Sequence, residues 1–216
     1  MNGMILAAGR GERMGSLTEN LPKPLLKVGD RYLIEHAISS LKNAGINEIV
    51  INISWHAEKI RAALGSGEKY GVKIIYSEEE ERLETGGGIF KALPLLGDDP
   101  FLVMSSDVIT DYPLHQLPKS PQGLAHIVMV DNPYYHASGD YGLDNGKVIL
   151  NASHVLTYAS FGIFRPELFA ECTPSHFRLT KVLNPAISAE KVTGEIYEGF
   201  WHNIGTAEDI HIFETI

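Results

Sequence analysis

The chain has a single cysteine, Cys172, among 216 residues. One thiol excludes an internal disulfide and fits a reducing cytoplasm. Long apolar runs are also missing: none approaches the roughly 20 residues a helix needs to cross a bilayer. The first residues lack a basic stretch followed by an apolar one, so no secretory signal and no membrane partner are expected. Positive charge is scarce, with 18 Lys plus Arg against 27 Asp plus Glu and a net charge of −9. Nucleic acid is therefore an improbable partner, because binding its backbone demands a basic face. No G-x-x-x-x-G-K-[ST] string occurs, which removes a P-loop. His126, His136, His154 and His176 are not at transition-metal ligand spacing. Internal repeats, low-complexity tracts and linkers are absent as well. The expectation is one domain over 1–216, a first half to about 112 and a second from about 113, with any second lobe inserted into the sheet.

The rest of the composition is that of an ordinary globular protein, 44% hydrophobic and 21% charged. Strand-like and helix-like segments alternate. Met4 to Ala8, Glu48 to Ile53, Lys73 to Tyr76 and Phe101 to Met104 read as strands. Leu33 to Ala44 reads as an amphipathic helix with Ile34, Ala37, Ile38 and Leu41 on one face, and Glu58 to Leu64 as a short helix. Ile89 to Leu93 reads as a helix stopped by Pro94. Later candidates are strands at Ala125 to Val130, Val148 to Leu150, Thr157 to Phe164 and Val192 to Tyr197, and a closing helix from Ala207 to Thr215. Asp144-Asn145-Gly146 is a hairpin signal. This alternation implies βαβ units and an α/β, three-layer αβα Rossmann-like fold with a mostly parallel sheet.

The most informative stretch is the first thirty residues, MNGMILAAGRGERMGSLTENLPKPLLKVGD. An apolar strand runs into Gly9-Arg10-Gly11, a loop whose backbone N–H groups can approach a phosphate chain. Arg13 and Lys23 follow, Lys23 held between Pro22 and Pro24. The layout suits a nucleoside triphosphate. A dinucleotide fingerprint fails here, because its third small residue is Met14 and no ribose-binding acid follows the second strand. Asp107 ends an apolar strand, where open α/β sheets bind ligands, and a carboxylate there can hold Mg²⁺.

The string LAAGRGERMGSLTENLPKPLLKV resembles the signature of the sugar-1-phosphate nucleotidylyltransferases. LETGGGIFKALPLLGDDPFLVMSSDVITDY at 83–112 and GLAHIVMVDNP at 123–133 narrow the resemblance to the members that act on N-acetylmuramate α-1-phosphate in cell-wall recycling. It implies a glycosyltransferase-A-like fold and a reaction of UTP with a sugar 1-phosphate that yields a UDP-sugar and pyrophosphate. By this resemblance Arg13 contacts the β- and γ-phosphates and Lys23 the α-phosphate. Leu6, Ala7, Ala8, Gly9 and Gly11 line the nucleotide, and Glu84, Thr85 and Gly86 form the nucleobase loop, with Thr85 offering a hydroxyl. Asp107 and Asn203 hold Mg²⁺ or Mn²⁺, Asn203 standing in Trp201-His202-Asn203-Ile204-Gly205-Thr206 where an acid is the commoner residue. Asn132, Gly139 and Asp140 fall in the sugar region, and related sequences carry Ser-Gly where Ala159-Ser160 stands here. Arg178 is read either as a holder of the sugar phosphate or as a surface cation.

The chemistry needs little from protein bases. A phosphate monoester has a second pKa of about 6, so the attacking oxygen is already largely ionised. Catalysis is then positioning plus charge neutralisation. The run Glu78 to Glu81 reads as a solvated loop, Asp111 as a structural aspartate and Trp201 as core packing. Cys172 has no activating neighbour in sequence. The chain stops soon after Gly205-Thr206, so no appended domain and a monomer or weak dimer are expected. Two other readings remain: a guanylyl-, thymidylyl- or cytidylyltransferase on another sugar 1-phosphate, and a non-catalytic nucleotide or UDP-sugar sensor.

Overall fold

The computed structural model describes residues 1–215, with side chains described through 213. The first half alternates as its sequence does: β1 (Gly3–Leu6), the ribbon β2 (Lys27–Val28) and β3 (Arg31–Tyr32), α1 (Leu33–Asn43), β4 (Glu48–Ile53), α2 (Ala57–Leu64), β5 (Lys73–Glu78), α3 (Glu84–Leu96), β6 (Phe101–Ser105) and β7 (Val108–Thr110). The second half adds β8 (Ala125–Val130), β9 (Gly142–Asp144), β10 (Lys147–Ile149), β11 (Thr157–Phe164), α4 (Thr180–Ser188), β12 (Val192–Ile196), β13 (Trp201–Asn203) and α5 (Ala207–Thr215).

One nine-stranded sheet spans both halves in the order β5-β4-β1-β6-β11-β8-β12-β10-β9. Only β11 and β10 run against the other strands, so the sheet is mostly parallel. Its strands are buried on both faces, which is why they read as continuous apolar runs. The alternation of side chains sorts each run into two layers. Ile5, Ile49, Ile51 and Met104 pack under α1 and α2, while Met4, Val50, Phe101 and Val103 pack under α3 and α4. A smaller cluster of Met14, Leu26, Val28, Leu33, Ile109 and Ile204 joins the N-terminal loop to the C-terminal segment.

The hairpin signal holds: Asn145 and Gly146 both take positive φ, 49° and 77°, and join β9 to β10. The third helix differs from the sequence reading. It begins five residues earlier, at Glu84, and runs through Pro94 to Leu96. Pro94 removes only one late hydrogen bond, so the helix persists for two more residues before Gly97 ends it.

Candidate active site

The strand order reverses at β1, whose neighbours β4 and β6 lie on opposite sides of it. Ligands of open α/β sheets bind beyond the carboxyl ends of strands at such a point. A cleft of about 420 Å³ opens there. Leu6, Ala7 and Ala8 lead from β1 into it, and Gly9 and Gly11 line it. Gly11 has φ +68°, and a Cβ on it would meet Lys23 Cβ at 2.8 Å, so the backbone and the crossing lysine both demand glycine. Gly9 is different. A Cβ there would meet no atom within 4 Å, so nothing in the described packing demands glycine at this position.

Lys23 is buried and Arg13 exposed, and both line the cleft. Lys23 Nζ donates to Asp107 Oδ2, just past β6. The ribbon of β7 and β13 sets Asn203 opposite Val108, and the Ile204 N–H donates to the Asp107 carbonyl at 2.8 Å. The backbones at Asp107 and Asn203 are therefore neighbours in space, and Asp107 lines the cleft while Asn203 is not part of its lining. Arg13 leans on Gly205, whose Cβ would lie 3.4 Å from its guanidinium nitrogens. Arg10, also on the cleft, stacks 5.3 Å from the centre of the Trp55 ring.

A buried polar chain underlies the side of the cleft that Glu84 and Thr85 line. The Ala7 N–H donates to Asn52 Oδ1 at 2.8 Å, Asn52 Nδ2 donates to Glu79 Oε1 at 2.7 Å, and the Leu83 N–H donates to Glu79 Oε2 at 2.9 Å. Glu79 is thus buried and not part of a solvated run, because its carboxylate ties the end of β5 to the start of α3. Glu84 and Thr85 line the cleft, and Glu84 holds φ +60° at the helix entrance. Thr85 Oγ1 accepts the Leu179 N–H at 2.9 Å, so its lone pair serves a distant segment. Gly86 does not reach the cleft lining. A Cβ on it would fall 2.6 Å from the Phe177 ring, and one on Gly87 2.5 Å from the Ser175 carbonyl. These glycines let α3 dock against residues 175–179.

The four residues expected in the sugar region separate. Asp140 and Arg178 border a second cavity of about 240 Å³ that shares Leu6, Glu84, Thr85 and Ser105 with the first. Asn132 and Gly139 do not border it. Asn132 donates to the Val155 carbonyl at 2.8 Å and accepts from Thr157 Oγ1 at 2.8 Å, and a Cβ on Gly139 would strike Asn132 Oδ1 at 2.7 Å. The Asn132 amide is thus bonded to Val155 and Thr157. Ser160 lies on the cavity with φ +62°, at the irregularity of β11 between Tyr158 and Gly162, a conformation that suits glycine better.

A family profile described as "Nucleotidyl transferase" matches residues 2–214. The chain belongs to this family. The N-acetylmuramate alpha-1-phosphate uridylyltransferase of Neisseria meningitidis serogroup B is 43% identical over 216 residues, covering 95% of this chain and 94% of the relative. The mannose-1-phosphate guanylyltransferase catalytic subunit beta of Dictyostelium discoideum is 30% identical, covering 97% of this chain and 62% of the relative. Among solved structures, a Bacillus anthracis protein provisionally assigned as a glucose-1-phosphate thymidylyltransferase, with sucrose bound, superposes with a TM-score of 0.86 at 21% identity, covering 100% of this chain and 94% of that one. That likeness gives the nucleotidyl transferase family fold.

The oxygen donors next to the cleft fit a hard divalent cation. Mg²⁺ takes one or two carboxylate or amide oxygens and fills its remaining positions with water and substrate phosphates. Asp107 and Asn203 offer that minimum, and the described residues hold no cluster of three or more His, Cys, Asp or Glu suited to an all-protein cage.

Several residues here escape a sequence reading of this nucleotidyl transferase. Asp209 is buried, and its Oδ2 accepts the Gly205 N–H at 2.8 Å, the Thr206 N–H at 2.7 Å and the Thr206 hydroxyl at 2.9 Å. This capping box starts α5 and fixes the loop behind Arg13, and the Thr-x-x-Asp string was its signal. Tyr135 faces the same region. Burial first, then the charges of Asp209 and Asp107, push its phenol up to about 12, with Arg13 opposing them. Asn52 and Glu79 carried no local signal. Cys172 is pushed up by burial and is not an activated thiol. Asp111 accepts from the Tyr197 hydroxyl, and Trp201 Nε1 donates to the Ala159 carbonyl at 3.0 Å, so both are structural.

Proposed function

We propose that this protein is a uridylyltransferase that joins UTP to N-acetylmuramate α-1-phosphate, giving the UDP-sugar and pyrophosphate. The observation that carries the reading is the end-to-end likeness to the Neisseria enzyme, at 43% identity, combined with a cleft that gathers Gly9, Gly11, Arg13, Lys23 and Asp107. The reaction belongs in the cytoplasm, in cell-wall recycling, and the described residues include no helix long and apolar enough to cross a membrane.

In the step, a sugar phosphate oxygen forms a bond to the α-phosphorus while the bond from that phosphorus to the bridging oxygen breaks. The electron pair leaves with pyrophosphate. Because the attacking phosphate is largely ionised at neutral pH, the protein moves no proton. Lys23 neutralises the α-phosphate, and Arg13 neutralises the departing β- and γ-phosphates. Asp107 and Asn203 would hold Mg²⁺, or Mn²⁺ in its place, which would supply further charge neutralisation when bound. The Lys23–Asp107 pair keeps both groups compensated before substrate arrives, and each then gains a partner of opposite sign.

The test is a pyrophosphate-release assay that crosses four nucleoside triphosphates with N-acetylmuramate, N-acetylglucosamine, glucose and mannose 1-phosphates, in Mg²⁺ and in Mn²⁺. Turnover confined to UTP with the muramate sugar is the expected result. A productive pair of GTP and mannose 1-phosphate would replace the substrates while keeping the class. UTP binding by calorimetry with no turnover in any combination would make the protein a sensor.

A further inference from the structure

The second cavity is lined by apolar side chains and three charged ones. Tyr141, Leu179 and Leu183 on its walls are buried, and Glu84, Asp140 and Arg178 are its charged members. Asp140 is already engaged: Oδ2 accepts the Tyr158 N–H at 2.9 Å, and Oδ1 lies 3.1 Å from His136 Nε2. Glu84 lies near Arg82, His176 and Arg178 at once. Its Oε1 is 2.9 Å from Arg82 Nη2 and 3.7 Å from His176 Nε2, while its Oε2 is 3.8 Å from Arg178 Nε. The last separation is beyond hydrogen-bond reach. The Arg178 side chain is 79% exposed, and an exposed contact of this kind holds its partners only weakly. The planar guanidinium, built for bidentate carboxylates, is thus the cavity's under-engaged cation.

We infer that Arg178 reads a carboxylate carried by the sugar ring of an acidic sugar 1-phosphate. The phosphate common to all such substrates goes instead to the cations of the first cleft. The inference rests on the proposed function, since N-acetylmuramate differs from N-acetylglucosamine by one lactyl ether, which carries that carboxylate. The apolar walls suit the methyl groups of the lactyl and acetamido substituents.

The experiment compares kcat/KM for N-acetylmuramate and N-acetylglucosamine 1-phosphates with UTP, in the wild type, Arg178→Gln and Arg178→Lys. In Arg178→Gln the ratio of muramate to glucosamine efficiency is expected to fall about 10- to 100-fold, the scale of a lost charge-assisted hydrogen bond, mostly through KM. Arg178→Lys should restore part of the ratio, because it keeps the charge and loses the fork. Thermal melts of both variants should match the wild type, since the side chain is exposed. Equal losses with both sugars, or an unmoved ratio, would overturn the inference while leaving the proposed function standing. Wild-type turnover of other sugars but not the muramate sugar would overturn the proposed function, and the inference with it, before any variant is made.

Discussion

Lys23 and Asp107, 84 residues apart in the chain, meet through Nζ and Oδ2 in the cleft. Their side chains are 10% and 21% exposed, so each depends on the other for compensation. The pairing puts a cation and an oxygen ligand where an anionic substrate and its metal would exchange partners with them. A protein with a net charge of −9 repels phosphates as a whole, which makes these local charges decisive.

Lys23→Ala and Asp107→Ala should each lower kcat by about 10²- to 10³-fold, the scale of removing one preorganised charge-stabilising group. Both variants should still unfold cooperatively. The double variant should lose less stability than the two single losses summed, because no unpaired charge remains. Pyrophosphate release and urea melts read these outcomes. Near-normal turnover in either single variant would remove that residue from the chemistry.

Asn203→Asp should retain activity and lower the Mg²⁺ concentration needed for half-maximal rate, since a charged oxygen replaces a neutral one. A metal titration of turnover measures this. Complete loss of metal-dependent activity would show that the position needs the amide.

Asp209→Ala should cost about 1–3 kcal/mol in urea unfolding, because it strips a buried acceptor from two N–H groups and a hydroxyl. The loop that carries Gly205 would then loosen beside Arg13, so KM for the nucleoside triphosphate should rise as well. A loss of stability with an unmoved KM would separate this cap from the cleft.

Stability should fall as pH drops below about 6.5. Burial lowers the pKa of His36 and of His126 from the ordinary value of 6.5. Between 6.5 and the lowered folded values the unfolded chain binds more protons than the native one, so acid favours unfolding. The Arg31 charge adds to the effect at His36, and Glu35 and Asp30 oppose it, as does Glu195 at His126. Melting temperatures from pH 8 to 5 should decline less steeply in His36→Leu than in the wild type. Parallel curves would exclude His36 as a source of the acid loss.

Much of this fold is legible because its signals are local. The apolar runs at Met4, Ile49 and Phe101 mark strands covered on both faces, and the spacing of Ile34, Ala37, Ile38 and Leu41 marks a helix with one buried face. Lys23 between two prolines and Asp107 at a strand end stand out for the same reason, and both come to the cleft. Asn145-Gly146 forms the turn its chemistry requires, and α5 spans the segment its sequence suggests.

What depends on segments far apart in the chain was not legible. Glu79 resembles its solvated neighbours until Asn52 and the Leu83 amide enclose it. The ETGGG glycines suit a flat ligand equally well until Phe177 and Ser175 crowd Gly86 and Gly87, and Glu79 and Asn52 crowd Gly88. Asn132 and Gly139 read as sugar contacts, yet Val155 and Thr157 claim the side chain of the first, which in turn crowds the second. Local sequence sets backbone preference and the side that must be buried, since those depend on neighbours three or four residues away. The partner of a polar group is chosen when distant segments pack, because a buried donor or acceptor must be satisfied by whatever the fold brings beside it. The sequence by itself therefore determined the αβα layers, the glycine loop after β1 and the lysine that follows it. Only the tertiary structure decided which glycines serve packing, which carboxylates are buried and which arginine borders the second cavity.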